Sequence, residues 1–272
     1  GHANGPDSAS QEQMILSLDR DFNSFFNWLD HTIGLNNVWI ALTADHGVAP
    51  VSAEAAHLGI NAAQLDMKAL YASLNEGLNQ LYSPGAGEKY LMPGPDLPYI
   101  VLDKRAFAKV HIDERAAEDE VAALLPGAIG AQAPALPDQL PAQYRLAPTP
   151  QFAGAYTRLA LATGQLPSDD WGRLLAHSYV DHGNWFVMLI IGGYQMPLLS
   201  KGTTHFSPWS YDRHVPLAFY GAPFIPGEYH GRVAPVDLAA TFASLAGVNQ
   251  PSASIGHVLT QAIRTGTIRP AH

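Results

Sequence analysis

The stretch from residue 10 to residue 47 constrains the fold more than any other. Met14, Ile15, Leu18, Phe22, Phe25, Phe26 and Leu29 recur at spacings of three and four, while Asp19, Arg20 and Asn23 fall off that stripe. This spacing predicts an amphipathic helix over 10–34. Ser10 and Gln13 have capping-box spacing at its start, and Gly34 offers a C-terminal stop. A short polar link then leads to Val38-Trp39-Ile40-Ala41-Leu42-Thr43, a run apolar on both faces, as a buried parallel strand is. Helix followed by buried strand is half of a βαβ unit, so an α/β chain is expected.

Past residue 52 the pattern loosens. Helices are expected at 61–82 and 113–125, and a strand at 99–103 ("YIVLD"). The Pro- and Ala-rich text of 126–151 is expected to wind over a surface. "WFVMLIIGG" (185–193) reads as a strong strand and "VPLAFYG" (215–221) as another. "PVDLAATFASLAGV" (235–248) reads as a helix, with Pro235 near its start and Gly247 after it. Residues 51–200, with a core strand near 185–193, are taken as a cap or insertion between 1–50 and 201–272.

Composition narrows the chemistry. The chain has 272 residues, 47% of them hydrophobic, enough for a sizeable core. Fifteen Lys and Arg against 24 Asp and Glu, with no basic run, argue against a nucleic-acid partner. No apolar run approaches ~20 residues, so no membrane-spanning helix is expected. The opening "GHANGPDSAS" has neither a basic region nor an apolar one, so it does not read as a signal peptide. Twelve histidines and no cysteine mean that a metal site must use nitrogen and oxygen ligands.

The triplet Asp-His-Gly occurs twice. Asp45-His46 lies just past the carboxyl end of the 38–43 strand, where ligands collect in open parallel sheets. A carboxylate and an imidazole adjacent in a turn can both reach one divalent cation; the alternative is a simple His-capped turn. Asp181-His182 precedes its strand and would sit at the opposite edge unless that strand runs antiparallel, so a plain turn is preferred there. Two further candidates are His205, after the Gly-Thr-Thr turn of "KGTTHFSPWSYDRHVPLAFYG", and His2 in "GHANGPDS". Asp212 and His214 are read as surface or strand-entry residues.

Taken in order, "GHxxGPxS", "TADHG", "GTTHxSPxxYDxxVPLxFYG" and "PVDLAxTxxxLxG" resemble the ordered motifs of the alkaline phosphatase superfamily. The branch they most resemble is that of phosphatases similar to type I phosphodiesterase/nucleotide pyrophosphatase. The resemblance covers 1–50 and about 200–260. It implies a three-layer α/β sandwich with a mostly parallel sheet and an inserted cap. It also implies a site of two divalent ions, zinc in this family, with His2 and His205 on one and Asp45 and His46 on the other. The implied reaction is hydrolysis of a small phosphate monoester through a covalent phospho-enzyme. Phosphodiesterase or nucleotide pyrophosphatase activity is the alternative, and a non-catalytic metal-binding fragment a third reading. Relatives of this kind are periplasmic or secreted.

Two departures stand out. The nucleophilic Thr or Ser, and further Asp ligands, are expected upstream, in an N-terminal half of the enzyme that would be this chain's partner. Thr43, Thr203, Thr204 and Ser207 do not match the nucleophile motif. Phe206 stands where many relatives have Gly.

Overall fold

A computed structural model describes residues 1–94, 97–132, 149–168, 170–181, 183–199, 201–264 and 266. In chain order the elements are α1 (Ala9–Thr32), β1 (Ile40–Thr43), α2 (Ser52–His57), β2 (Gln64–Leu65), α3 (Met67–Tyr82) and β3 (Tyr99–Val101). Then follow α4 (Lys104–Lys109), α5 (Glu114–Gly130), β4 (Phe152–Thr157), α6 (Arg158–Thr163), α7 (Asp170–Ser178) and β5 (Phe186–Ile191). The last are β6 (Met196–Pro197), α8 (Ser210–Arg213), β7 (Leu217–Tyr220) and α9 (Asp237–Ala246). They form two compact units: residues 1–11 with 48–213, and residues 12–47 with 214–272.

The first unit is organised around β5, flanked by β3 and β4 in the order β3-β5-β4, both pairings antiparallel. All six β5 residues are buried. Because side chains alternate along a strand, β5 serves two cores. Val187, Leu189 and Ile191 join Leu70, Leu74 and Leu78 of α3 and Val121, Leu125 and Ile129 of α5. Phe186, Met188 and Ile190 join Leu161 and Leu175 on the other face. The continuous apolar text of 185–193 follows directly from this two-sided burial. The helix expected to end at 125 continues through Pro126 to Gly130. Fully buried Ile129 is the reason: its packing outweighs the one helical hydrogen bond that proline removes. Residues 133–148, most of the expected surface segment, lie outside the described residues.

Glu118 of α5 is completely buried in this unit and accepts from the N–H of Leu159 (3.1 Å) and of Phe186 (3.2 Å). Burial pushes its carboxyl up to about 7, with neighbouring Glu114 adding to the rise; the N–H donors and Arg158 oppose it. Arg158 itself forms an ion pair with Glu114.

In the second unit β1 pairs antiparallel with β7, Ile40 opposite Tyr220 and Thr43 opposite Leu217. The parallel pairing expected for 38–43 is therefore not what this strand makes here, and Leu42 is exposed. An apolar run signals burial potential but carries no information on strand direction. Among the described residues β2–β6 is the parallel pair. The helix α9 packs Leu245 with Phe224 and Ile263. Buried Asp237 at its start accepts from Ala234 N–H and His257 N–H, both at 2.8 Å. Gly256 lies against this turn so closely that a Cβ there would stand 2.1 Å from the Val236 carbonyl oxygen.

The helix α1 starts at Ala9, and its cap lies two residues before the expected Ser10. Its cap is Ser8, whose Oγ accepts from Gln11 N–H at 3.2 Å, so the capping spacing is Ser8–Gln11. The end agrees with Gly34, whose N–H reaches the Asp30 carbonyl at 2.9 Å. The apolar stripe is present but largely uncovered: Leu29 is its buried member, while Met14, Ile15, Leu18 and Phe25 are exposed. No helix among the described residues is long and apolar enough to cross a membrane.

Candidate metal centre

In the first unit, His2 is held by the turn at 202–203. Its carbonyl accepts from Thr203 N–H at 2.9 Å, and its Nδ1–H donates to the Thr203 carbonyl at 3.1 Å. A carbonyl can only accept, so this contact sets the tautomer that leaves the lone pair on Nε2. Such a carbonyl tie is the usual support for a metal-ligating imidazole. Gly202 is required at the turn: a Cβ would meet the His2 carbonyl oxygen at 2.1 Å, and φ is +80°. Buried Thr203 anchors the turn by donating its hydroxyl to the Ala49 carbonyl at 2.8 Å. Two residues on, the His205 ring centroid lies 5.2 Å from that of His2, the planes tilted by 43°. One ring nitrogen from each lies within 4.8 Å of the other.

The loop after His205 is fastened by Asp212. Its Oδ2 accepts from Phe206 N–H (3.3 Å), Ser207 N–H (3.0 Å) and the Ser207 hydroxyl (2.5 Å). Of the two readings of Asp212, surface or strand-entry, the first does not hold: it lies shortly before β7 and is 6% exposed. The signal was there, since an Asp five or six residues after a Phe-Ser-Pro turn can bend back onto its backbone amides. His214 is exposed, in keeping with its reading.

In the second unit, Asp45-His46 follows the carboxyl end of β1, as the sequence places it. His46 N–H donates to Asp45 Oδ1 at 3.0 Å, and His46 Nδ1–H donates to the Gly47 carbonyl at 2.9 Å. The second contact again leaves the lone pair on Nε2. That Nε2 lies 3.4 Å from Asp45 Oδ2. Two acceptors facing each other at this distance call for a cation or a proton between them. Two ligand atoms ~2.0–2.1 Å from a tetrahedral zinc lie about 3.3–3.4 Å apart. The donor set and its spacing therefore fit a divalent ion.

The second triplet does not share this arrangement. β5 is antiparallel to both neighbours, and exposed Asp181 accepts from Gly183 N–H at 2.9 Å, with Arg158 Nη1 at 3.6 Å. His182 lies outside the described residues.

Comparison with known proteins puts these pairs in context. The family model for type I phosphodiesterase / nucleotide pyrophosphatase matches residues 1–168. Alkaline phosphatase PhoV of Synechococcus elongatus is 26% identical over 265 residues, covering 97% of this chain and 43% of PhoV. Alkaline phosphatase PafA of Elizabethkingia meningoseptica is 27% identical over 271 residues, again 97% of this chain and 43% of the relative. The crystal structure of wild-type PafA superimposes with a TM-score of 0.77 at 24% identity, over 97% of this chain and 45% of that one. The chain thus spans less than half the length of the relatives it matches, and it shares the alkaline-phosphatase-like α/β fold. It belongs to the type I phosphodiesterase / nucleotide pyrophosphatase family, within the alkaline phosphatase superfamily.

Proposed function

We propose that this chain carries the metal-binding residues of a phosphoric ester hydrolase. The enzyme cleaves phosphate monoesters through a covalent phospho-enzyme, and this chain is part of a longer polypeptide. One zinc ion belongs to His2 and His205, the other to Asp45 and His46. The observation that most supports this is the 3.4 Å approach of His46 Nε2 to Asp45 Oδ2, with Nδ1 already committed to Gly47. Bound divalent ions supply polarisation of the phosphoryl oxygens and stabilisation of the leaving oxygen. They also dominate the local field, so the formal charge of −9 does not repel an anionic ester.

The chain's own residues supply orientation. Thr203 fixes the His2 ring from one side and is itself tied to Ala49. Gly47 fixes the His46 ring, and Asp212 fixes the loop after His205. Thr203 and Ser207 spend their hydroxyl protons on Ala49 and Asp212, which supports placing the nucleophile in the longer enzyme rather than on either residue. The family model favours a second reading, phosphodiester or pyrophosphate cleavage by the same site.

Elemental analysis tests the ligands. Asp45→Ala or His205→Ala should each lose at least one zinc equivalent, and Asp181→Ala none; unchanged stoichiometry in the first two overturns the assignment. Hydrolysis of p-nitrophenyl phosphate against bis-p-nitrophenyl phosphate by the full-length enzyme, with zinc and with chelator, separates the two reactions. Faster turnover of the diester overturns the monoesterase reading. By its resemblance the enzyme acts in the periplasm or outside the cell; recovery in the cytoplasmic fraction of native cells would contradict that.

A further inference from the structure

In the second unit a cavity of about 770 Å³ opens along β7. It is lined by all four strand residues, Leu217, Ala218, Phe219 and Tyr220. Successive side chains of a strand point to opposite faces, so a cavity that touches every residue runs along the strand's edge and not over one face. β1 occupies one edge of β7 in a sheet of two strands, so the cavity lies on the free edge. Among the described residues, the backbone of Leu217–Tyr220 makes no hydrogen bond beyond its ladder with β1. Much of the remaining lining is apolar, and Ile225, Tyr229 and Val233 within it are exposed. Its polar side chains are Asn36, Glu228, His230, Gln261 and Arg264, of mixed charge.

Unpaired strand backbone beside exposed apolar side chains is a template for a further strand. β7 carries no charged residue, the usual device that keeps such an edge single. At the rise of a strand its edge is about 13 Å long, room for a segment of about four extended residues.

We propose that this groove takes an extended apolar segment of the same, longer polypeptide, lying outside residues 1–272, as the strand next to β7. This deepens the proposed function and rests on its reading of the chain as part of a longer enzyme. Relatives that share the fold are more than twice as long as this chain. The β1–β7 sheet is short of the three strands that independent stability asks for. A segment tethered in the same polypeptide is present at high effective concentration, which favours it over a second copy or a foreign peptide.

The test uses the full-length enzyme. Successive N–H groups of a strand alternate between its edges, so about two of the four β7 amides face β1 and about two face the groove. Hydrogen exchange should find all four protected, each roughly tenfold or more below the rate of an unpaired amide. Protection of the β1-facing amides alone overturns the proposal. A photoreactive benzoylphenylalanine in place of exposed Tyr229 identifies the occupant by mass spectrometry of the cross-linked peptides. Cross-links to a residue of the same molecule outside 1–272 are expected. Cross-links confined to 1–272, to a second copy or to another protein overturn the proposal.

Zinc content of the same preparation separates the two readings. Zinc bound while the groove-facing amides exchange freely overturns the proposal and leaves the metal reading standing. Protection and the expected cross-link without zinc overturn the metal reading alone. A native protein whose intact mass is the 29.2 kDa of this chain overturns the longer polypeptide, and this proposal with it.

Discussion

At the scale of single residues, the site depends on backbone groups as much as on the side chains that would touch an ion. Gly202 shows this most directly. It carries no ligand, yet a methyl group there would collide with the carbonyl that positions His2. Gly202→Ala should therefore remove about one zinc equivalent by elemental analysis. It should also destabilise the first unit by about 3 kcal/mol in a urea melt, from left-handed strain plus the clash. Wild-type zinc content in that variant would mean that His2 is not held as described. His2, Asp45, His46 and His205 are legible in the sequence as candidates because each lies in a short local motif. The burial of Asp212 is not legible there, since whether a carboxylate is buried depends on what packs over it.

At the scale of elements, Glu118 ties three of them together. It joins α5 to the N-terminus of α6 and the start of β5 through two backbone N–H groups. Its folded-state pKa of about 7 lies above the ordinary carboxyl value of 4.5. The native state therefore holds this proton more tightly than the unfolded chain does. The stability it supports is fully present below pH 4.5, declines as pH rises toward 7 and levels off above that. The displacement corresponds to roughly 3 kcal/mol. Glu118→Gln should flatten this part of the stability profile between pH 4.5 and 7, measured by denaturant midpoints. A profile with the same slope in the variant would place the dependence on another group. Element type was legible along most of the chain, because periodicity of two or 3.6 is a local property. Three boundaries moved: at Ser8, past Pro126, and at Met67, where the helix expected from 61 begins only after the β2 strand, capped by Asp66; in each a cap or a buried side chain outweighed the local signal.

At the scale of the whole molecule, the most unusual surface is the uncovered stripe of α1. Ile15 is 54% and Trp28 57% exposed, on the same helix as exposed Met14, Leu18 and Phe25. Contiguous apolar surface of this kind drives association. The chain on its own should bind the dye ANS and show concentration-dependent growth in light scattering. Ile15→Lys with Trp28→Lys should reduce both without changing the secondary structure seen by circular dichroism. Unaltered scattering in the double variant would mean that another face is responsible.

The sequence by itself determined the longer helices and the main strands, the position of Asp45-His46 past a strand end, and the family, because all of these are written in short contiguous patterns; the shorter elements α2, β2, α4, β4, α6, α7, β6 and α8 were not legible in it. Only the tertiary structure decided that β1 pairs antiparallel with β7, that His2 is locked by Thr203, and that Asp212 is buried. Each of these joins residues distant in the chain or depends on what packs over them. Periodicity reports which face of an element is apolar, but not what comes to lie against it.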